Sequence, residues 1–214
     1  HRLKKSKIIL KIYLIIILPF RYLINLFFLP NKKKLEQIGK KNPNLYLKNL
    51  NFLFEFFNSD KGDFFCDQYV QPLKRNQNKI EAHGYAKIYE KYFSKMKDNK
   101  LNILELGSFY GNAAASLFFY FKNSKIYSGD IYPDLFRYKS ERVKNFYVNT
   151  SNENSIKDKI LDKEIIFDIV IEDAGHFFKD QIISLFMIFK KVRPGGIFIT
   201  EELDFPEKRK DMNI

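Results

Sequence analysis

The stretch Leu101-Asn-Ile-Leu-Glu-Leu-Gly-Ser-Phe-Tyr-Gly111 decides the fold of this chain. It begins as a short apolar run, continues through two glycines separated by three residues, and leads into helix-forming residues from Asn112 to Phe121. This order predicts a strand, a tight glycine turn and a helix, which is the opening unit of a parallel α/β sheet. In such a unit the backbone N–H groups of the turn and the helix N-terminus favour a polar ligand.

The spacing of the glycines narrows the class of ligand. The pattern is Gly-x-x-x-Gly, with Glu105 two residues before Gly107. A dinucleotide-binding fingerprint, Gly-x-Gly-x-x-Gly, would also need glycine in place of Phe109 and Asn112. The spacing therefore disfavours binding of a nicotinamide dinucleotide. From this stretch alone, a glycine turn that binds no ligand remains an alternative.

Length and charge set broad limits on the protein class. At 214 residues the chain is long enough for one domain with a substantial core and an appendage. The net charge of +12 is typical of nucleic-acid or membrane binding. However, lysine, asparagine, isoleucine and phenylalanine are used heavily along the whole chain, so compositional bias explains the charge and no nucleic-acid partner is expected. The single Cys66 excludes an internal disulfide and favours a reducing, cytoplasmic compartment.

The N-terminal segment is apolar and flanked by basic residues. Ile8 to Leu29 is mostly apolar, with lysines on both sides, at 4, 5 and 7 and at 32–34. A membrane-spanning helix needs about 20 apolar residues, and Pro19 is expected to split this stretch into two shorter halves. The pattern predicts association of residues 1–34 with a membrane surface, on the cytoplasmic face. A helical hairpin that is buried or covered by a partner remains the alternative.

The segment before the glycine turn is expected to be helical. Asn31 to Asn49 is polar and lysine-rich, which predicts a linker or an exposed helix, and Leu50 to Phe57 is an aromatic run that predicts a packed helix. A further amphipathic helix is predicted over residues 86–93. Its sheet-covering face is expected to consist of Ile88, Tyr89, Tyr92 and Phe93.

Polar residues are predicted at the ends of the later strands. Asp130 ends the second strand, 25 residues past Glu105, near the offset of about 20 at which α/β cofactor sites place a ribose-binding acid. Asp173 and His176 follow the fourth strand, and Glu201 and Glu202 follow the fifth. The three carboxylates that follow the last two strands are suitable ligands for Mg²⁺. The alternative is that the two glutamates only begin a solvated loop and bind no metal.

These motifs resemble those of a known family. Glu105 to Gly111 resembles motif I of the class I S-adenosylmethionine-dependent methyltransferases. Residues 58–203 resemble the metal-dependent sugar O-methyltransferases that act on macrolide deoxysugars, including a loop with Ser59-Asp-Lys-Gly62 and a His-x-Tyr at His83 to Tyr85. His83 and Tyr85 are expected to lie at the entrance for the cofactor or the substrate.

The resemblance implies a fold and a division of the chain. It implies a Rossmann-like, doubly wound, mainly parallel α/β sheet of the class I methyltransferase type, preceded by an N-terminal helical segment. The family fold continues for two strands beyond the fifth, so this sequence predicts a sheet truncated after strand five. The expected units are residues 1–30 as an apolar N-terminal segment, 31–95 as a helical cap and linker, and 96–214 as the S-adenosylmethionine-binding domain.

The resemblance also implies roles for individual residues. His176 matches the family's general base, and the metal would be held by Asp173, Glu201 and Glu202, where Glu202 replaces the family's usual aspartate. Asn152 occupies a position where an adenine contact is expected. Contacts to S-adenosylmethionine are implied for Glu105, Gly107, Ser108, Gly111, Asp130 and Asp173.

The predicted function is Mg²⁺-dependent methylation of a hydroxyl of a sugar or glycoside. In this mechanism the metal lowers the pKa of the hydroxyl, and His176 takes the proton because imidazole exchanges protons near neutral pH. Two alternatives remain open. One is a catechol-type O-methyltransferase, and the other is a membrane-associated binding protein that uses the fold without catalysis.

Overall fold

The computed structural model describes residues 11–67, 78–203 and 211. The strands in these ranges are β1 (Lys33–Lys34), β2 (Phe64–Cys66), β3 (Lys79–Glu81), β4 (Asn102–Leu106), β5 (Lys125–Asp130), β6 (Tyr138–Lys139), β7 (Val143–Tyr147), β8 (Phe167–Glu172) and β9 (Val192–Thr200). The α-helices are α1 (Leu18–Phe28), α2 (Leu35–Lys41), α3 (Leu50–Phe56), α4 (Ala86–Phe93), α5 (Asn112–Tyr120), α6 (Glu153–Ile156) and α7 (Phe178–Ile188).

Five parallel strands form the central sheet, in the order β7-β5-β4-β8-β9. The first strand of this sheet along the chain, β4, is therefore central, and the chain builds outward to one edge through β5 and β7 and to the other through β8 and β9. This arrangement confirms the predicted Rossmann-like, doubly wound sheet. In such sheets ligands bind at the carboxyl ends of the strands where the direction of winding reverses, which here lies between β4 and β8.

Alternating side chains of the strands feed two cores, one on each face of the sheet. Ile103, Ile126 and Ile171 point to the face covered by α3, α4 and α5. Leu104 and Val170 point to the opposite face, against α6 and α7. The central strands β4 and β8 are thus buried on both sides, which explains why they are the most apolar strands of the sheet.

The bounds of the last helix and strand differ from the prediction. The sequence of residues 181–192 predicts one amphipathic helix before the turn, whereas the observed helix α7 starts at Phe178 and ends at Ile188. The Arg193-Pro-Gly-Gly196 stretch, expected to be a turn before a strand at Ile197, lies inside β9. Val192 already pairs with Phe167, and the register shifts before Ile197 pairs with Ile169. Gly195 and Gly196 therefore lie where the pairing of β9 with β8 is irregular.

Residues 31–57 pack on the core more closely than a linker would. Leu35 in α2 and Leu50 in α3 are fully buried in the same cluster as the α5 phenylalanines. In α4, Tyr89 and Phe93 are buried as expected, but Ile88 and Tyr92 are exposed. The expected four-residue face was too wide, because the buried stripe of this short helix continues through Ala86 instead.

The N-terminal helix is continuous through Pro19. A π-helical segment, Tyr13–Ile17, leads directly into α1, with Pro19 in its first turn. Proline is tolerated there because the wider turn and the helix start need no N–H from it. The prediction that Pro19 divides the segment was therefore wrong. Among the described residues, no helix is both long and apolar enough to cross a membrane.

Two regions of the sequence prediction lie outside the described residues. They are the N-terminal basic residues up to residue 10 and residues 204–214 after strand five, apart from Asp211.

Candidate active site

Gly107 forms the narrowest point of the crevice between β4 and β8. Its φ is +87°, and a Cβ atom at this position would lie 1.9 Å from the carbonyl oxygen of Asp173. The Asp173 N–H donates to the carbonyl of Leu106 at 3.0 Å, so the two strand ends separate directly above this pair. Glycine is required here because the backbone after β8 occupies the space of a side chain.

Gly111 ends the turn and starts α5. It has a φ of +81°, and a Cβ atom there would lie 2.4 Å from the ring of Phe136. Ser108 is buried in the same turn and donates to the carbonyl of Gly129 at 3.4 Å. The turn therefore leans on the end of β5 and directs the N-terminus of α5 toward the crevice.

Asp130 organises the neighbouring strand end. One carboxylate oxygen accepts the N–H of Phe109 and the other accepts the N–H of Tyr132, both at 2.7 Å. Burial raises the pKa of Asp130, although these N–H donors oppose the rise. Since each carboxylate oxygen can accept a second bond, the group can hold the loops and still bind a ligand.

Two adjoining cavities lie above the carboxyl ends of the strands. The first, of about 390 Å³, is bounded by Tyr13 and Arg21 of the N-terminal helix and by residues 147–151 after β7. The second, of about 430 Å³, is lined by His83, His176 and Glu202, among others. Both fall in the range of cofactor pockets, about 300 to 1,000 Å³. They share Gly107, Asp130, Ile131, Tyr132 and Ala174.

A lysine joins two of the candidate carboxylates. The Nζ of Lys61 lies 2.5 Å from Asp173 Oδ2 and 2.6 Å from Glu201 Oε2. Its side chain is 4% exposed. Burial lowers the pKa of Lys61, but the facing carboxylates raise it by more, so that it lies well above its usual value. Lys61 is therefore a charged ammonium at the centre of the cluster.

Glu201 is held on both of its carboxylate oxygens. Tyr89 donates to Oε1 and Lys61 donates to Oε2. Burial raises the pKa of Glu201 to about 8, while the two donors favour its ionised form. The backbone of Glu201 is fixed as well, because its N–H donates to Glu172 and its carbonyl accepts from Gln181.

Glu202 points to a different set of partners. Its backbone is left-handed, with a φ of +56°. Its Oε1 accepts from Tyr85 at 3.2 Å and lies 3.3 Å from His83 Nε2. The rings of His83 and Tyr85 stack at 5.2 Å. Because of this backbone reversal, the two adjacent glutamates diverge.

His176 borders the second cavity. It has a left-handed backbone, with a φ of +45°, and its side chain is 52% exposed. The Nδ1 atom lies 3.9 Å from Asp173 Oδ1. Left-handed non-glycine residues are strained and cluster at functional sites. Phe109, His176 and Glu202 share this feature, and all three line the same cavity.

The carboxylates of this site are suitable ligands for a cation, but their present geometry would have to change before they could hold a metal ion. Carboxylates of Asp173 and Glu201 converge on one point, which suits a hard divalent ion. The described residues contain no group of three or more His, Cys, Asp or Glu side chains that could hold a metal ion. Two adjustments would complete the set: Glu202 would have to turn from His83, and Lys61 would have to leave its position between Asp173 and Glu201.

Glu105 lies on the sheet face toward Lys61 rather than in the two main cavities. It is 2% exposed and lines a small space of about 30 Å³ together with Lys61, Ser108 and Asp173. Burial raises the pKa of Glu105 to about 7. Its carboxyl group faces the underside of the turn that carries Gly107.

Some site residues were not identified from the sequence. Lys61 belongs to the noted Asp-Lys-Gly loop, but its side chain was given no role. Tyr13 and Arg21 lie in a segment that was interpreted as a membrane-surface helix or a covered hairpin, without a role in the site. Asn152 was interpreted as an adenine contact, whereas its side chain accepts the N–H of Ser155 at the start of α6. Asn149 to Ser151 line the first cavity in its place.

Comparison with known proteins supports the resemblance. No family model matches the chain. A rhamnosyl tetracenomycin-C 2'-O-methyltransferase of Streptomyces olivaceus is 29% identical over 138 residues, which are 61% of this chain and 36% of the relative. The chain is similar to O-methyltransferases. The predicted resemblance is therefore confirmed.

Other relatives have the same activity class in their names. Demethylmacrocin O-methyltransferase of Streptomyces fradiae is 25% identical over 128 residues, covering 56% of this chain and 32% of the relative. A solved structure of the methyltransferase MycE with Mg and SAH is 24% identical, with a TM-score of 0.47, and covers 56% of this chain and 32% of that one. The chain thus spans about a third of the length of the curated relatives that it matches.

Proposed function

We propose that this protein is an S-adenosylmethionine-dependent O-methyltransferase that acts, with Mg²⁺, on a hydroxyl of a sugar or glycoside. The observation that supports it most is the joining of two cavities at the switch point of the sheet. One is bordered by Asp130 and the loop after β7, and the other by Asp173 and His176. One cavity suits a nucleoside-like cofactor and the other an acceptor. The names of the relatives supply the reaction class.

The cofactor site is proposed around the first cavity. Asp130 would accept hydrogen bonds from the ribose hydroxyls through the lone pairs that its loop contacts leave. Gly107 lets the ligand approach the backbone, and the N-terminus of α5 faces the same crevice. Ser108 and Gly111 shape this turn, and Glu105 supports it from below. S-adenosylmethionine, when bound, supplies the methyl group.

The acceptor chemistry is proposed in the second cavity. Asp173, Glu201 and Glu202 are the proposed ligands of Mg²⁺, which when bound makes a coordinated hydroxyl more acidic. His176 lies at the rim and would take the hydroxyl proton. The acceptor oxygen would then bond to the methyl carbon, while the carbon–sulfur bond would break with its electron pair staying on sulfur. The strand ends that line both cavities would align the two partners for this in-line transfer.

A methyl-transfer assay on His176→Ala tests this assignment. With a panel of rhamnosides and other glycosides, the wild type should release S-adenosylhomocysteine, and the variant should be slower by about 100-fold or more. Binding of S-adenosylhomocysteine should be unchanged, because His176 is not among the residues that line the first cavity. Equal rates for the two proteins would remove His176 from the proposed role.

The same panel separates the alternative functions. A catechol-type enzyme would methylate catechols in preference to glycosides. A protein that binds S-adenosylhomocysteine but methylates neither class would favour a binding function of the fold.

We also propose that the N-terminal helix lies on an anionic membrane surface at the cytoplasmic face. Large apolar residues along α1 are exposed, with Phe27 at 85% and Phe28 at 74%. Lys33 and Lys34 lie shortly after the end of α1 and are exposed. Such a helix binds an interface through apolar burial and attraction to anionic lipid.

Co-sedimentation with vesicles tests this surface. We expect binding to vesicles of mixed phosphatidylserine and phosphatidylcholine, weaker binding to phosphatidylcholine alone, and loss in the double variant Phe27→Ser/Phe28→Ser. Exchange of the buried Leu18 would perturb the fold, so the exposed Phe186 of α7 serves as the control position. Undiminished sedimentation of the double variant would contradict the proposal.

A further inference from the structure

Lys61 occupies the centre of the carboxylate cluster through a fixed loop. Its carbonyl accepts the N–H of Ala86 at 3.0 Å, and the N–H of His83 donates to the carbonyl of Asp60 at 2.9 Å. These bonds tie the loop at residues 59–62 to the start of α4. The tether explains why the lysine side chain reaches across to strand ends more than 110 residues away in sequence.

The ammonium of Lys61 uses the oxygens that a metal needs. It contacts Asp173 Oδ2 and Glu201 Oε2 at 2.5 and 2.6 Å, and these two oxygens are the convergent pair of the cluster. A magnesium ion needs carboxylate oxygens at about 2.0 to 2.1 Å in a near-octahedral arrangement. Two cations cannot share this point, because like charges a few ångströms apart in a buried site repel strongly.

We propose that Lys61 and a divalent cation are mutually exclusive partners of the Asp173–Glu201 pair. Metal binding then has to displace the Lys61 ammonium, and the lysine lowers the metal affinity of the site. This inference rests on the proposed function for the presence of a metal. It adds that the Lys61 side chain leaves the Asp173–Glu201 pair when the metal binds.

Replacement of the lysine tests the competition directly. Mn²⁺ binding is measured by electron paramagnetic resonance on wild type, Lys61→Met and Lys61→Arg. The methionine keeps the length of the side chain without the charge, so we expect at least about tenfold tighter binding, whereas the arginine should keep the affinity low. The double variant Lys61→Met/Asp173→Asn should lose the gain. Equal or weaker binding by Lys61→Met, including no binding by either protein, would overturn the inference.

Thermal unfolding serves as the control that the Lys61→Met variant is folded. Without the ammonium the two carboxylates repel, so Mn²⁺ should raise its Tm by more than it raises that of the wild type. A variant that fails to fold with or without Mn²⁺ would also count against the inference, because the metal should replace the lost cation.

The wild-type protein provides an independent measurement. Lys61 is nearly inaccessible, so acetic anhydride should label it slowly, and saturating Mn²⁺ should increase its labelling as followed by peptide mass spectrometry. The exposed Lys79 serves as the internal control. Unchanged labelling of Lys61 at saturating Mn²⁺ would contradict displacement. Binding of S-adenosylhomocysteine by the same samples reports separately on the proposed function, so the failure of one claim is distinguishable from the failure of the other.

Discussion

At the scale of single residues, Glu172 carries a buried carboxyl group that no proposed role uses. It ends β8 on the face opposite to Ile171 and is fully buried. Its Oε1 accepts the N–H of Ala174 at 3.4 Å, and its Oε2 has no hydrogen-bond partner within the described structure. Burial raises the pKa of Glu172 from 4.5 to about 7. Ionised, this carboxyl destabilises the folded protein.

This residue should make stability depend on pH in a defined window. Below pH 4.5 the carboxyl is protonated in both the folded and the unfolded chain, and as the pH rises toward about 7 only the folded chain keeps the proton. Stability is therefore lost across that window. Glu172→Gln should raise the free energy of unfolding at pH 8 by about 2 kcal/mol and change it little at pH 4.5.

Urea unfolding at the two pH values measures the effect. The exposed Asp98, whose side chain is 64% exposed, provides a control in Asp98→Asn. An equal change at pH 4.5 and pH 8 would show that Glu172 acts through packing rather than through its charge.

Some single residues of the site could be predicted from the sequence alone, and others could not. Asp130, Asp173 and His176 line one cavity, as expected from their positions at or shortly after the ends of β5 and β8 in a parallel sheet. The divergence of Glu201 and Glu202 was not predictable, because it follows from the left-handed backbone of Glu202. Lys61 was not predictable either, since its position depends on hydrogen bonds between segments more than 20 residues apart.

At the scale of elements, the glycine turn joins the fold to the site. Gly107 and Gly195 both have left-handed backbones, but they differ in surroundings. A Cβ atom at Gly107 would lie 1.9 Å from backbone, whereas at Gly195 the nearest atom is the Arg193 guanidinium at 4.0 Å. At Gly107 a side chain would clash with the backbone, whereas at Gly195 only the left-handed backbone conformation favours glycine.

Alanine at these two glycines should give unequal effects. Gly195→Ala carries the cost of the left-handed conformation, about 1 kcal/mol. Gly107→Ala adds a clash between β4 and the chain after β8, so its loss of stability should be at least about twice as large. Chemical unfolding of both variants measures the difference. Equal destabilisation would contradict the close approach of Gly107 and Asp173.

The N-terminal helix was the element that the sequence described least well. Its apolar run and its proline suggested two short halves, whereas the helix is continuous and one face docks on the domain. Tyr13 donates to the carbonyl of Ile131 at 3.0 Å. Asp134 accepts from Arg21 at 2.9 Å and from Asn25 at 2.7 Å. Long-range contacts of this kind leave no pattern in the local sequence.

Loss of Asp134 should therefore loosen this helix. In Asp134→Ala, both helix donors lose their shared acceptor, so amide hydrogen exchange over residues 13–28 should accelerate by about tenfold or more while β4 and β8 stay protected. Binding of S-adenosylhomocysteine should weaken too, because Tyr13 and Arg21 line the first cavity. Asp158→Ala removes a pair between neighbouring surface residues and should change neither. Unchanged exchange in Asp134→Ala would show that the apolar contacts alone hold the helix.

At the scale of the whole molecule, three layers of structure meet at one edge of the sheet. The five parallel strands set the positions of Asp130, Asp173 and Glu201. Helix α4 contributes Tyr89, and the loop at residues 59–62 before it contributes Lys61. The N-terminal helix closes the outer side of the first cavity. The sequence predicted the first layer because periodicity and glycine spacing determine it, and the other two depend on tertiary contacts.

Binding of S-adenosylhomocysteine by isothermal titration calorimetry is the most direct test of this account. The wild type should bind it, with and without Mg²⁺, because Asp130 and the glycine turn form a site separate from the carboxylate cluster. Asp130→Ala should lose at least about tenfold in affinity, which corresponds to about 1.4 kcal/mol, while Asp98→Ala should bind as the wild type does. The absence of binding by folded wild-type protein would contradict the methyltransferase assignment.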